Sequence, residues 1–241
     1  MKVLEEKNIK ATSSWDEIEC AQLEKEGNVA RVQRDFNLAI EKYSESYKKR
    51  LMKTDMGFVS IGLVMCEKLL GELYFQADMP QKALKYYQKA EEHVKMINAG
   101  DSQGDGYYLN ISTLYISMAK FYLDQKKYKS ALNSIKAASS ALDKIEFRDI
   151  DYLNNESITF ECLSQYYKQN KEYDESIYYA KLCINTRTAI YEKDNSYKFF
   201  QNLIAAFDVV ARLLFDSGDV KQGKEYSLKP LHYGMITMIR N

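Results

Sequence analysis

One spacing constrains this chain more than any other feature. The run Leu70-Gly71, Tyr74, Ala83, Tyr87 and Ala90 can be laid without gaps over Met118-Ala119, Tyr122, Ala131, Ile135 and Ala138. It fits again over Leu163-Ser164, Tyr167, Ser176, Ala180 and Cys183, and more loosely over Val210-Ala211, Leu214, Gly223, Ser227 and Pro230. Successive copies are offset by 48, 45 and 47 residues. A period of this size marks an array of supersecondary units, each of which buries its apolar face by stacking on a neighbour.

Each copy reads as a helix, a short polar turn and a second helix. The turns are residues 76–80, 125–128, 169–173 and 216–220, and Pro80 falls where its second helix would begin, a place that tolerates the missing N–H. Gly71, Ala119, Ser164 and Ala211 share one register, where only a small side chain lets the antiparallel partner helix come close. With ten Gly and two Pro in 241 residues, the chain has too few turn residues for a sandwich or barrel. The fold class expected is all-α.

A further pair is read upstream. Ser14 and Glu17 have capping-box spacing, which predicts a helix start, and Gly27-Asn28 predicts its end. Val32, Phe36, Ala39 and Tyr43 then recur at helical spacing. The expected organisation is an N-terminal tail over 1–12 and a single domain over 13–241. Its helix pairs fall at about 13–54, 56–98, 105–146, 151–192 and 196–240, the last an atypical cap because of Gly223 and Pro230. Residues 97–106, with three Gly, form the longest connector.

The small residue followed by an aromatic, then the Ala-x-x-x-aromatic-x-x-Ala run, resembles the tetratricopeptide repeat (TPR). The resemblance implies a TPR-like α-solenoid of about five antiparallel helix pairs. Two departures stand out: the family's first-helix tryptophan is replaced by Glu67, Tyr115, Phe160 and Phe207, and the period exceeds the family's usual 34 residues. Longer helices would absorb the extra length.

The residues offer little to catalysis. His93 follows two glutamates and reads as a solvated helix residue, and His232 is equally bland. Cys20, Cys66, Cys162 and Cys183 form no CxxC pair, which argues against a disulfide framework or zinc site and for a reducing, cytoplasmic setting. They read as small buried hydrophobes. The tyrosine pairs Tyr86/Tyr87 and Tyr166/Tyr167 read as packing rather than a base-stacking ladder. Gly100, Gly104 and Gly106 lack the ending of a phosphate loop. No secretory leader or membrane span is read. Lys plus Arg equals Asp plus Glu at 34 each, which disfavours nucleic acid and anionic membranes as partners of this chain alone. Neither an enzyme, a cofactor nor a metal is expected.

A surface is what the resemblance supplies instead. In TPR arrays the first helices line a concave groove that receives a peptide or a partner helix. Carried onto this chain, that row includes Lys68, Glu72, Ile116, Lys120, Glu161, Gln165, Asp208 and Arg212, a mixed set without the cation cluster that grips a chaperone's terminal carboxylate. Asn110, Asn155 and Asn202 each precede the small residue of their unit by nine positions, which at about 100° per residue places them on the opposite side of the helix. Such a row could hold a peptide backbone, since Asn both donates and accepts. The same row resembles the TPR sensing domains of bacterial peptide-pheromone receptors. The function expected is a protein- or peptide-binding scaffold or adaptor. The alternatives are the sensing domain of a peptide-responsive regulator, or a module regulating a kinase or other enzyme. Oligomeric state is left open.

Overall fold

The computed structural model describes residues 2–54, 59–97 and 104–240, with side chains over 17–52, 59–97 and 104–230. Among these residues there are ten helices and no strand. They are α1 (Lys2–Val32), α2 (Phe36–Thr54), α3 (Ile61–Gln76), α4 (Pro80–Met96), α5 (Asp105–Asp124), α6 (Tyr128–Leu142), α7 (Ile150–Gln169), α8 (Tyr173–Lys193), α9 (Tyr197–Asp216) and α10 (Val220–Arg240). Pro80 opens α4 as expected, and Ser60 and Asp149 cap α3 and α7 by accepting from Leu63 N (3.2 Å) and Tyr152 N (2.8 Å).

Two compact units emerge from the packing, Met1–Gln103 and Gly104–Asn241. The reading of one domain over 13–241 does not distinguish them. In the first unit α1 packs on α2, α2 on α3 and α3 on α4. Its core joins Tyr43 and Tyr47 of α2 to Leu63, Cys66, Leu70 and Leu73 of α3. In the second, α5 through α10 pair in sequence, and α5 also packs directly on α7. Ala119, Leu123, Ala131, Ile135 and Cys162 form one part of that core, and Ala180, Cys183, Leu203, Phe207 and Val210 another.

The helix pairs close on two devices. The first is the small residue. A Cβ on Gly71 would lie 2.8 Å from the Tyr87 ring, nearer than real side chains approach. The second device is the turn. Arg34, Asp78, Lys126, Lys171 and Gly218 all have positive φ, between 54° and 93°, one in the turn inside each helix pair. In the second pair, Met79 N donates to Tyr74 O (2.8 Å) and Asp78 N to Phe75 O (3.0 Å), the Schellman pattern that satisfies the last carbonyls of a helix. The same two bonds recur at Lys126-Lys127 and Lys171-Glu172. Only Gly218 meets this left-handed conformation without a Cβ.

Two boundaries differ from the sequence reading. The backbone of α1 begins at Lys2 and runs straight through Ser14, because nothing upstream of Ser14 is Gly or Pro and no breaker opposes the helix. It also continues past Gly27, which is no terminator. A Cβ there would lie 2.7 Å from the Tyr43 ring, so Gly27 is to Tyr43 what Gly71 is to Tyr87. Gly27, Ala39 and Tyr43 then match Gly71, Ala83 and Tyr87 at an offset of 44 residues, so the first pair shares the close contact of the repeat.

A helix-interior glycine in open space is improved by alanine, by up to about 1 kcal/mol. Gly27→Ala should instead destabilise the protein by about 1–3 kcal/mol, because the new methyl must displace the buried Tyr43 ring. Gly106→Ala, with nothing within 4 Å, is the control and should be neutral or slightly stabilising. Denaturant unfolding of the three proteins checks this, and a gain at Gly27 would mean that the close contact is absent.

Candidate functional site

Glu24 of α1 accepts from Ser46 Oγ (2.7 Å), Arg50 Nε (2.9 Å) and Cys66 Sγ (3.1 Å), drawing α1, α2 and α3 to one carboxylate. The grouping has the residue types of a nucleophile site but not its environment. Ser46 and Cys66 are buried, and burial, reinforced by Glu24, pushes the Cys66 thiol up to about 12. Burial likewise holds Cys162 at about 12 and Cys183 at about 11, so these thiols stay protonated near neutrality. All four cysteines are free and buried, in line with the sequence reading. Among the described residues no group of three His, Cys, Asp or Glu is placed to hold a metal ion.

His93 is not a solvated residue. Its Nδ1 lies 2.8 Å from Glu67 Oε2, and the His93 side chain is 15% exposed while that of Glu67 is 0% exposed. Burial raises the Glu67 carboxyl above its ordinary range, against the lowering effect of the His93 hydrogen bond. The His232 side chain lies outside the described residues. Tyrosines stack within helix pairs, Tyr74 on Tyr86 at 5.4 Å and Tyr167 on Tyr179 at 5.5 Å, which makes them packing groups.

The candidate surface is a cleft of about 630 Å³ between α7 and α9. Glu161, Ser164, Gln165, Lys168 and Gln169 form one wall, and Val209, Arg212 and Leu213 the other. Three of the expected groove residues, Glu161, Gln165 and Arg212, therefore meet here. Asp208 stands beside them, its carboxylate 2.9 Å from Arg212 Nη2, and Lys168 spans the cleft end to Asp216 at 2.9 Å. These pairs are all well exposed, so they contribute little to folding. At the other end Arg187 of α8 donates to Glu161 Oε2 (2.6 Å) and to the carbonyl of Asn202 (3.0 Å). Arg187 stands outside the expected row because that row is drawn from first helices, whereas Arg187 sits on α8, the second helix of its pair.

The other expected residues are placed elsewhere. Ile116 is buried and Lys120 is exposed on α5. Lys68 and Glu72 belong to the first unit, where they pair with each other at 2.9 Å. The asparagines do not form an exposed row. Asn110 donates to the carbonyl of Gly106 on its own helix (2.8 Å), and Asn202 is half-buried. Asn155 is 8% exposed, and its amide donates to Ser112 Oγ and Thr113 Oγ1, both at 2.8 Å. The rotation argument was sound, but the side of α7 opposite its partner helix faces α5 rather than solvent.

The geometry accords with the comparisons. No family model and no curated protein matches the chain. Among solved structures it is similar to BtubC (BKLC) from P. vanneervenii, with a TM-score of 0.72 and 14% identity over 96% of this chain and 87% of that one. It is also similar to nearly identical TPR-like repeats of a putative kinesin light chain from Podosopora anserina. One such structure gives a TM-score of 0.62 at 12% identity, over 91% of this chain and 98% of that one. A second gives 0.59 at 13%, over 92% and 99%. At such identities the likeness is one of fold. The chain is an all-α protein of the TPR-like α-solenoid class, and no helix among its described residues is long and apolar enough to cross a membrane.

Asn155→Ala should now cost folding stability, by about 1–3 kcal/mol, because it removes a buried amide that joins α7 to α5. Asn110→Ala, which loses one exposed bond on its own helix, should change stability by less than about 0.5 kcal/mol. Thermal unfolding of the two variants distinguishes them, and equal melting temperatures would deny the α5–α7 bridge.

Proposed function

We propose that the chain is a non-catalytic scaffold or adaptor that binds a protein or peptide, with the α7–α9 cleft as part of its contact surface. The observation that carries this reading is the cleft itself, which opens between the first helices of two successive pairs. Its walls mix an exposed amide, Gln165, with apolar Val209 and Leu213 and with two ion pairs that give little to the fold. Such a surface can hydrogen-bond a peptide backbone, cover an apolar side chain and exchange its own ion pairs for a partner's charges at small cost. Buried, protonated thiols, which offer no nucleophile near neutrality, favour binding over catalysis. A cytoplasmic setting belongs to the same proposal.

The experiment is affinity capture of the partner, followed by calorimetry on Gln165→Ala/Arg212→Ala. The double variant should keep its stability to within about 0.5 kcal/mol, since both side chains are exposed. Its partner affinity should fall about tenfold or more, equivalent to about 1.4 kcal/mol. Unchanged affinity would remove the cleft from the contact surface.

A further inference from the structure

The first unit contains one titratable pair that the binding surface does not use. Glu67 lies one turn before Gly71 on α3 and is fully buried, and its sole hydrogen-bond partner among the described residues is His93 of α4, 2.8 Å away. The second carboxyl oxygen, Oε1, is buried with no partner. Glu67 also occupies a position where the repeat pattern calls for a large aromatic. An apolar residue there would fill the helix interface without charge. A carboxyl group instead makes the interface answer to protons.

We propose that Glu67 and His93 act as a one-proton lock on the α3–α4 pair, closed while the two together carry no net charge and loosened when they lose a proton. The inference stands apart from the partner-binding proposal. The neutral pair is a carboxylic acid beside a neutral imidazole, with Oε2–H donating to Nδ1, the form that burial of Glu67 favours. Loss of one proton leaves a carboxylate beside a neutral imidazole. The Oε2 bond survives, donated by Nδ1–H, but an uncompensated negative charge is now buried with Oε1 unpaired.

The surrounding groups offset that charge only in part, and burial outweighs them. On α4, Glu92 adds negative charge, and Tyr86 presents a half-buried neutral ring. Lys89 keeps its charge and favours the carboxylate, but its ammonium is directed to Tyr47 of α2, donating to the hydroxyl at 2.8 Å and lying over the Tyr47 and Tyr86 rings, and it makes no hydrogen bond to Glu67. On α3 itself, Lys68 is engaged by Glu72. The raised Glu67 carboxyl agrees in sign. A group whose folded value is raised contributes stability that is present below its unfolded value and is lost as pH rises through the folded one. The lock therefore opens on the alkaline side of the ordinary carboxylate range.

Two measurements on the full chain test this. Carboxyl-carbon NMR of wild-type Glu67 reads its proton directly, and its midpoint should lie above the ordinary range of a free glutamate, in the direction that burial pushes it. Amide hydrogen exchange, corrected for intrinsic rates, should show protection of α3 and α4 falling about tenfold relative to α5 and α6 as pH rises through that midpoint and beyond it, a change within the limit of tenfold per pH unit for one proton. Glu67→Gln, which has no proton to lose, should abolish the difference. An ordinary carboxylate midpoint, or an identical pH slope in Glu67→Gln, would overturn the proposal. If the variant does not fold, the wild-type titration decides alone.

Discussion

Close approach of two antiparallel helices at a residue too small to keep them apart is the constraint on which the rest of the structure depends. Gly27 and Gly71 leave room for the rings of Tyr43 and Tyr87, and neither position accepts even a methyl without movement of the ring. The larger Ala119 and Ser164 meet smaller partners across their pairs, and Ser164 adds a bond, its carbonyl accepting from Ser176 Oγ at 2.8 Å. Because the contact is set by shape, the five turns can afford left-handed residues that are mostly not glycine. Local strain of about 1 kcal/mol per turn is small beside a buried aromatic contact.

Polar groups decorate this frame in two ways that sequence does not separate. Some are braces. Glu24 collects bonds from three side chains on two other helices, and Asn155 ties α7 to α5. Others stand on the surface with little structural duty, as Gln165 and the Asp208–Arg212 pair do. The functional reading rests on the second kind, because a group already satisfied in the core has no bond to offer a partner. It is for this reason that the α7–α9 cleft, rather than a row of asparagines, is the candidate surface.

The repeat was legible where small and aromatic residues recur at fixed spacing, and that much fixed the helix pairs, the turns and the fold class. It failed at Gly27, since a glycine that ends a helix and one that admits a ring look alike until its partner Tyr43 is placed. Ser14 misled because a capping box marks where a helix can start, not where it must. His93 was misread because its partner, Glu67, lies 26 residues away on another helix. Glu161, Gln165 and Arg212 meet at one cleft because they share the first-helix register that the resemblance carries onto this chain. Arg187 escaped because its length, not its register, carries it to the groove.

The central claim is that the cleft between α7 and α9 receives a partner. It is tested most directly by a photo-crosslinking residue placed at position 165, with one at exposed position 178 on α8 as the comparison. The account predicts covalent capture of the partner from 165 and none from 178. Capture from 178 with none from 165 would contradict it and move the binding surface to the second helices.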